Sequence, residues 1–304
     1  MSLVDVRMNE KEELPHYHAI DKDNYTISRS REETHHNGHH HIHRSHEVLF
    51  VESGRAKYSI NGIEFIVEPG DILSIGATEH HKYIVVDVPF QRYGFTIKPA
   101  YFRNIVPIID LEKVFQTPTI ENYEKFNKRI NPETFSIIIA LLKMLKTEQQ
   151  SIGIYRAPME RGLIAQLTIL LYRNFGYKQT DSPMPSIYKQ MLEIKEYITT
   201  HYEEDLSLKF LADKFYLHSA TISKNFPKYC GQNLNKYINQ VRISEATKLL
   251  ETTNENIVNI AYQCGYENEA TLLRQFKQIM EISPARYRKD IIEYTNIIKN
   301  NKTD

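Results

Sequence analysis

Residues 208–228 read LKFLADKFYLHSATISKNFPK, and residues 257–277 read IVNIAYQCGYENEATLLRQFK. One pattern runs through both. In the first stretch Leu211-Ala212 lead to Thr221, Ile222, Lys224 and Phe226; in the second, Ile260-Ala261 lead to Thr271, Leu272, Arg274 and Phe276. Each copy predicts two short helices joined by a tight turn. Self-similarity at a fixed offset of about fifty residues points to a duplicated supersecondary unit.

In the first copy Ser207 is a good N-cap, because its hydroxyl can accept a hydrogen bond from a first-turn N–H. Leu208, Leu211, Ala212 and Phe215 share one helical face, and the period breaks at Tyr216-Leu217-His218-Ser219. Ser219 or His218 then caps a second helix with Ile222 and Phe226 inward. Ser219, Ala220, Thr221, Ser223 and Lys224 are left outside, and Pro227 is expected to end or bend the helix. In the second copy Asn256 caps a helix with Ile257, Ile260, Ala261 and Cys264 inward, and Gly265 supplies the turn. Glu267 or Asn268 starts the next helix, with Leu272 and Phe276 inside and Asn268, Glu269, Thr271, Arg274 and Lys277 outside. A helix-turn-helix sets its second helix in the DNA major groove, where small polar groups and Arg or Lys suit base edges and phosphates. Lys228 and Lys277 lie nearer the helix ends and suit phosphates.

Between the copies, Leu234, Tyr237, Ile238, Val241, Ala246, Leu249 and Leu250 recur at helical spacing. They predict one long helix from about Asn233 to Leu250. Such a rod fixes the separation of the two second helices, as successive major-groove faces about 34 Å apart require.

The pattern resembles the DNA-binding domain of the AraC/XylS family of transcription regulators. The resemblance rests on Ser207-Leu208…Leu211-Ala212, Ile222-Ser223-Lys224-x-Phe226, Ile257-x-x-Ile260-Ala261-x-x-Cys264-Gly265-Tyr266, and Leu272-x-Arg274-x-Phe276-Lys277…Ser283-Pro284-x-x-Tyr287-Arg288. It covers roughly Pro185 to Lys289. The chain departs at Tyr216, a turn position where the family often has Gly. It also departs at Pro227, where Lys is usual, and at Glu281, where Gly is usual.

The chain has 304 residues, enough for two domains, and a formal net charge of zero. Whole-chain charge therefore says nothing about nucleic acid. Local charge says more: Leu206–Lys248 holds seven Lys/Arg against Asp213 and Glu245, and Ala270–Lys289 holds five against Glu281. Cys230 and Cys264 are the two cysteines, which is no disulfide framework. Met1–Leu14 shows no apolar core of a signal peptide, and the longest apolar stretch, Phe135–Leu142, is far short of a membrane span. A reduced cytoplasm is the expected setting.

The first half reads differently. His35, His36, His39, His40, His41, His43 and His46 crowd one segment. Strand signals follow at Val48–Val51, at Ala56–Ile60, at Ile63–Val67 across the Asn61-Gly62 hairpin turn, and at Ile72–Ile75 after Pro69-Gly70-Asp71. Further strands are expected at Tyr83–Val86 and Arg92–Ile97, with a short one at Tyr25–Ser28. The two-residue turn pairs Ile60 with Ile63, Tyr58 with Phe65 and Ala56 with Val67 on one face. Many short strands suggest a barrel or jelly roll.

This half resembles the cupin-like sensor domain found in many AraC-type regulators, through His41-x-His43-x-x-x-Glu47, Gly54, Pro69-Gly70-Asp71 and His81. An upstream Gly of the cupin motif is missing, and Gly76 stands where Pro is common. The resemblance makes His41, His43, Glu47 and His81 either the polar rim of an effector pocket or a metal site. Three imidazoles and a carboxylate suit Fe, Mn, Ni or Zn. His39, His40 and His46 are expected to be exposed loop residues.

Tyr101–Tyr123 reads as a connector. Asn131-Pro132-Glu133 opens a helix through Phe135, Ile138, Ile139, Leu142 and Leu145, and a second helix spans about Met159–Phe175. The stripe Leu163, Leu167, Leu170 and Leu171 looks too wide for one neighbour and suggests a dimer contact. A helix over Ile187–His201 opens the second half.

The expected fold is multidomain α+β. A cupin-like barrel spans 1–125, a helical dimerisation pair 126–178, a loop-rich linker 179–186, an all-α DNA-binding domain 187–290 and a polar, frayed tail 291–304. The two helix-turn-helix motifs lie at about 207–228 and 256–278. The resemblance implies a transcription regulator with a double-stranded DNA operator, a sugar-like or other small organic effector, a second copy of itself and RNA polymerase as partners. It implies no catalytic residue and no resident cofactor. The alternative is a cupin metalloenzyme fused to a DNA-binding module. Activation or repression is open in the sequence.

Overall fold

The computed structural model describes residues 23–35, 41–115, 128–150, 152–175 and 186–300. His36, His39, His40 and most of the expected linker lie outside the described residues.

The first half is one six-stranded antiparallel sheet followed by helices. Its strands are β1 (Tyr25–Glu32), β2 (His46–Ile60), β3 (Ile63–Val67), β4 (Asp71–Ile75), β5 (His81–Ile97) and β6 (Lys128–Arg129). The order is β1-β5-β2-β4-β6, with β3 paired to β2. The hairpin register is as expected: Ile60 faces Ile63, Tyr58 faces Phe65 and Ala56 faces Val67.

Two of the expected pairs of short strands are single long ones. Val48–Val51 and Ala56–Ile60 belong to β2, and Tyr83–Val86 and Arg92–Ile97 belong to β5. The two strands pair along their length, with register shifts between Val51 and Ala56. Gly54 sits in that irregular stretch at φ +72, where a Cβ would lie 2.5 Å from the Asp87 carbonyl oxygen. A bulged, side-chain-free bend lets both strands fold over without breaking. Leu49, Val51, Leu73 and Ile75 from one end of the bend therefore share a core with Ala56, Tyr58, Phe65, Val67, Tyr83 and Val85 from the other. That core is the barrel interior.

The outer face is also covered. Val48, Phe50, Ile72, Tyr93, Phe95 and Ile97 pack against helices. The segment expected to be a plain connector holds helix α1 (Pro99–Ile105) and a 3-10 turn, Ile109–Phe115, whose Phe102, Leu111, Val114 and Phe115 are buried there. Helices α2 (Pro132–Gln150) and α3 (Arg156–Asn174) complete the layer. Asn131 caps α2 by accepting from the Thr134 N–H at 2.9 Å. Leu163, Leu167 and Leu171 are buried in the same core as α2 and the 3-10 turn, and Leu170 is packed alongside. The stripe is thus consumed within the chain, because its second neighbour is the 3-10 turn.

The second half is all helix: α4 (Ser186–Thr200), α5 (Leu208–Lys214), α6 (Ser219–Cys230), α7 (Leu234–Thr252), α8 (Ile257–Gln263), α9 (Glu269–Met280) and α10 (Pro284–Asn300). The rod α7 serves both copies. Leu234, Tyr237, Ile238 and Val241 close one core with Ile194, Leu211, Ile222 and Phe226. Ile243, Ala246 and Leu250 close the other with Ile260, Cys264, Leu272 and Phe276. Each fully buried Leu, Ile or Phe contributes about 1.5–3 kcal/mol, so the rod is held at both ends. Pro227 does not end α6, which continues to Cys230 and stops at Gly231. Tyr229 and Cys230 pack against the first core, and that burial holds the last turn despite the missing N–H. The expected frayed tail is helical as far as Asn300.

Candidate nucleic-acid interface and sensor pocket

The two helix-turn-helix copies are built alike. Ser207 accepts from the Phe210 N–H and Asn256 from the Asn259 N–H, so each first helix is capped as its sequence predicts. The turn needs a left-handed residue, and Tyr216 (φ 54) and Gly265 (φ 79) fill it. The second helices, α6 and α9, each have 12 residues and bury the same face, Ile222 and Phe226 in one, Leu272 and Phe276 in the other.

The opposite faces carry the expected DNA-contacting side chains. Ser219, Ala220, Ser223, Lys224 and Lys228 are exposed on α6, with Thr221 half-buried. Asn268, Arg274 and Lys277 are exposed on or beside α9, and Glu269 and Thr271 are half-buried. Two of these have work inside the protein. Asn268 Oδ1 accepts from both the backbone N–H and the hydroxyl of Thr271, at 2.9 and 3.0 Å. Asn268 is therefore the N-cap of α9, and its acceptor is committed. Lys228 lies with its ammonium 5.0 Å from the Tyr229 ring centre.

Of the four expected pocket side chains, three converge. Glu47 on β2 lies with its Oε2 3.3 Å from His43 Nε2 and 3.5 Å from His81 Nε2. Donor atoms of His43, Glu47 and His81 all fall within 4.8 Å of one another, a spread that suits a metal ion. Burial pushes the Glu47 carboxyl up, but the hydrogen bonds and charge of His43 and His81 outweigh it and hold it well below the usual carboxylate range. His41 is outside this set. Its backbone pairs with His81, and its ring centre lies 4.9 Å from that of His81. Burial, reinforced by His81, pushes His41 below the ordinary histidine value and favours its neutral form.

His46 is a correction. It was expected on an exposed loop and is 2% exposed. Its ring stacks on Phe115, and its Nδ1 accepts from the Ala77 N–H at 3.2 Å. Burial lowers its pKa to about 4. Phe115 lies in the segment read as a connector, so nothing local marks His46 for burial.

Two groups of residues escaped the sequence. Inside the barrel, buried Arg92 donates to Glu32 at 2.7 Å, and Tyr83 donates to the same oxygen at 3.0 Å. The Arg92 guanidinium lies 4.5 Å from the Tyr83 ring centre, beside Tyr58 stacked on Tyr83. A lone Arg between Phe90 and Phe95 is the only hint in the sequence. The second group joins the halves. Ile42 is buried in the core of the second copy. Arg44 pairs with Glu245 at 3.3 Å and lies over the Tyr202 ring, and Lys82 pairs with Glu281 at 2.6 Å.

Comparison with known proteins agrees with this arrangement. Residues 26–150 match the model of the AraC-like ligand binding domain, and residues 211–290 match that of a helix-turn-helix domain. The chain is 24% identical to the HTH-type transcriptional activator RhaS of Mannheimia succiniciproducens over 254 residues, 82% of this chain and 88% of the relative. It is 21% identical to the activator RhaR of the same organism over 258 residues, 83% and 88% of the two chains. Among solved structures, ToxT from Vibrio cholerae is similar with a TM-score of 0.57 at 12% identity, over 88% of this chain and 98% of that one. ToxT bound to a naphthalenyl butenoic acid gives 0.58 at 14% identity, over 88% and 100%. At these identities the structural likeness concerns the fold. Among the described residues no helix is long and apolar enough to cross a membrane. With both domain models matched in order and full-length activators aligned across them, the chain belongs to the AraC/XylS family of transcription regulators.

Proposed function

We propose that the chain regulates transcription by setting α6 and α9 into successive major-groove segments of one operator, under control of a ligand in the barrel. The observation that carries this is the duplicated surface. Lys224 and Arg274 occupy equivalent exposed positions on two helices locked to one rod. A 19-residue rod spans about 28 Å at 1.5 Å per residue, close to one turn of DNA. Arg274 can pair bidentately with guanine, and Lys224 is a flexible point charge. Ser219, Ala220, Thr221, Ser223, Glu269 and Thr271 flank them along the groove, and Lys228 and Lys277 meet phosphates.

The effector acts from the barrel, in the polar interior that runs from Arg92 to His81. An unsaturated fatty acid is bound to ToxT in one solved structure, and a sugar-like or other small organic molecule is the class favoured for this chain. The regulator acts in the cytoplasm as a homodimer and meets RNA polymerase at its promoter. Exposed Ile137, Met144 and Met159 supply apolar surface for the dimer. No catalytic step is assigned to it.

The test is capture of genomic fragments by the purified chain, followed by band-shift measurements on the best fragment. A site with two half-elements one helical turn apart, bound at least a hundredfold more tightly than random DNA, is the expected result. Equal affinity for all fragments would sink the reading.

A further inference from the structure

Among the described residues, the apolar cores differ in what they are made of. Two belong to the barrel and its helices, and the core of the first helix-turn-helix copy is drawn from the helical half alone, from Met191 to Val241. The core of the second copy is mixed. Beside Ala246, Leu250, Ile260, Leu272 and Phe276 it holds Ile42, which comes from the segment leading into β2 and is 7% exposed. Ile42 is the one buried apolar side chain, among the described residues, that the first half places in a core of the second. A buried isoleucine that is taken away leaves a cavity that its neighbours close only in part. The second copy is therefore packed to completion by a residue of the sensor half.

Around Ile42 the halves meet through polar groups. Arg44 pairs with Glu245 and lies over Tyr202, and Lys82 pairs with Glu281. Arg103 pairs with Glu196 at 3.2 Å, and Gln240 on the rod donates to Asn61 Oδ1 at 3.0 Å. Gln240, Ser244 and Thr247 recur at helical spacing on α7, and all three are buried. A polar stripe on an amphipathic helix stays in water unless a partner covers it, and at Gln240 that partner is the barrel. Ion pairs with an exposed member each contribute little, and a seam of this polar kind lets two domains part. Ile42 is the apolar tie in it.

Docking leaves the DNA face alone. Ser223, Lys224, Arg274 and Lys277 are exposed with the barrel in place. The docked barrel therefore does not act by covering the recognition helices. What it can change is how firmly the second copy is held. His41 and His43, on either side of Ile42, set their rings 4.9 and 5.2 Å from that of His81 at the barrel mouth. A shift of this segment on the barrel side moves Ile42 on the other. We propose that Ile42 is a positioning residue. Seated in the second core, and helped by Lys82 at the end of α9, it holds α8 and α9 in their DNA-reading arrangement; its withdrawal loosens that copy and spares the first. This rests on the barrel being the sensor of the proposed regulator and names the step by which its state reaches the DNA.

The experiment follows amide hydrogen exchange of the full chain by mass spectrometry. In Ile42→Ala the amides of α8 and α9 should exchange about tenfold faster or more, while those of α5 and α6 change by less than about threefold. Equal acceleration in both copies, or none in α8 and α9, would overturn the proposal. A milder lever covers the case in which Ile42→Ala does not fold. Lys82→Glu sets like charges against each other at the end of α9 and should speed exchange there about two- to fivefold. Adding Glu281→Lys should restore it, and a double variant no better than Lys82→Glu would count against the latch. On the captured DNA fragment, Ile42→Ala should lose base preference in the half-element under α9 and keep it under α6. Equal loss in both half-elements would overturn the coupling. Failure of the unaltered chain to bind any DNA would instead refute the regulator reading, since the exchange measurement stands without it.

Discussion

The two helix-turn-helix copies solve the same backbone problem with opposite residues. Each needs a left-handed residue at the turn and another at the end of the second helix. The first copy uses Tyr216 and then Gly231; the second uses Gly265 and then Glu281. A left-handed residue with a Cβ costs about 1–2 kcal/mol, so each copy carries one such strain. Crowding explains the choice at the turn. A Cβ on Gly265 would meet the Tyr202 carbonyl oxygen at 2.6 Å and Glu203 Cα at 2.9 Å, whereas Tyr216 is 94% exposed and meets water. At the helix end Glu281 holds Lys82 of the barrel, a contact that Gly231 has no side chain to make. The left-handed end of α9 is thus a point of contact with the barrel, which the helical half also meets through Glu196 on Arg103 and Gln240 on Asn61.

The largest expected effect tests the crowding argument. Gly265→Ala should destabilise the helical half by about 3 kcal/mol, left-handed strain plus backbone overlap. Urea unfolding followed by circular dichroism measures it, and a loss of only about 1–2 kcal/mol would show that φ alone, not crowding, selects glycine.

Next comes the division of base reading between the copies. Arg274→Ala should cost about 1–3 kcal/mol in operator binding and relax preference at one base position. Lys224→Ala should cost less and leave preferences in place. Binding series over operator variants decide this, and equal, uniform losses would remove the distinction between the copies.

Tyr216→Gly should stabilise the first copy by up to about 1 kcal/mol, since relief of strain is partly offset by a more flexible unfolded chain. A drop in the unfolding midpoint would mean that the Tyr216 ring has a packing role despite its exposure. The smallest effect concerns salt. Lys277→Ala should weaken all DNA sequences alike and reduce the log–log salt slope by roughly one unit, measured across several salt concentrations. A sequence-selective loss would move Lys277 from phosphate to base contact.

Local chemistry was legible wherever partners are near in sequence. Ser207 and Asn256 cap helices three residues ahead of them. The Asn61-Gly62 turn sets its hairpin register through adjacent residues. The inner faces of α6 and α9 follow from a period of 3.6. The outward residues of those helices could therefore be named without a structure, although the capping role of Asn268 shows that exposure alone does not make a side chain free for DNA.

By itself, then, the sequence determined the repeated helices, their caps, their inward and outward faces, the long rod and the alternating hairpin. Each of these depends on contacts within about four residues along a helix or across one tight turn. Only the tertiary structure decided the rest. It merged four short strands into two long ones bent at Gly54, because β2 and β5 shelter each other there. It buried His46 under Phe115, closed the Leu163–Leu171 stripe between α2 and the 3-10 turn, and left His41 outside the His43–Glu47–His81 cluster. It also joined Lys82 to Glu281, 199 residues away. No period in a sequence encodes such pairs, because they form only when separate elements pack and each surface finds the partner that removes it from water.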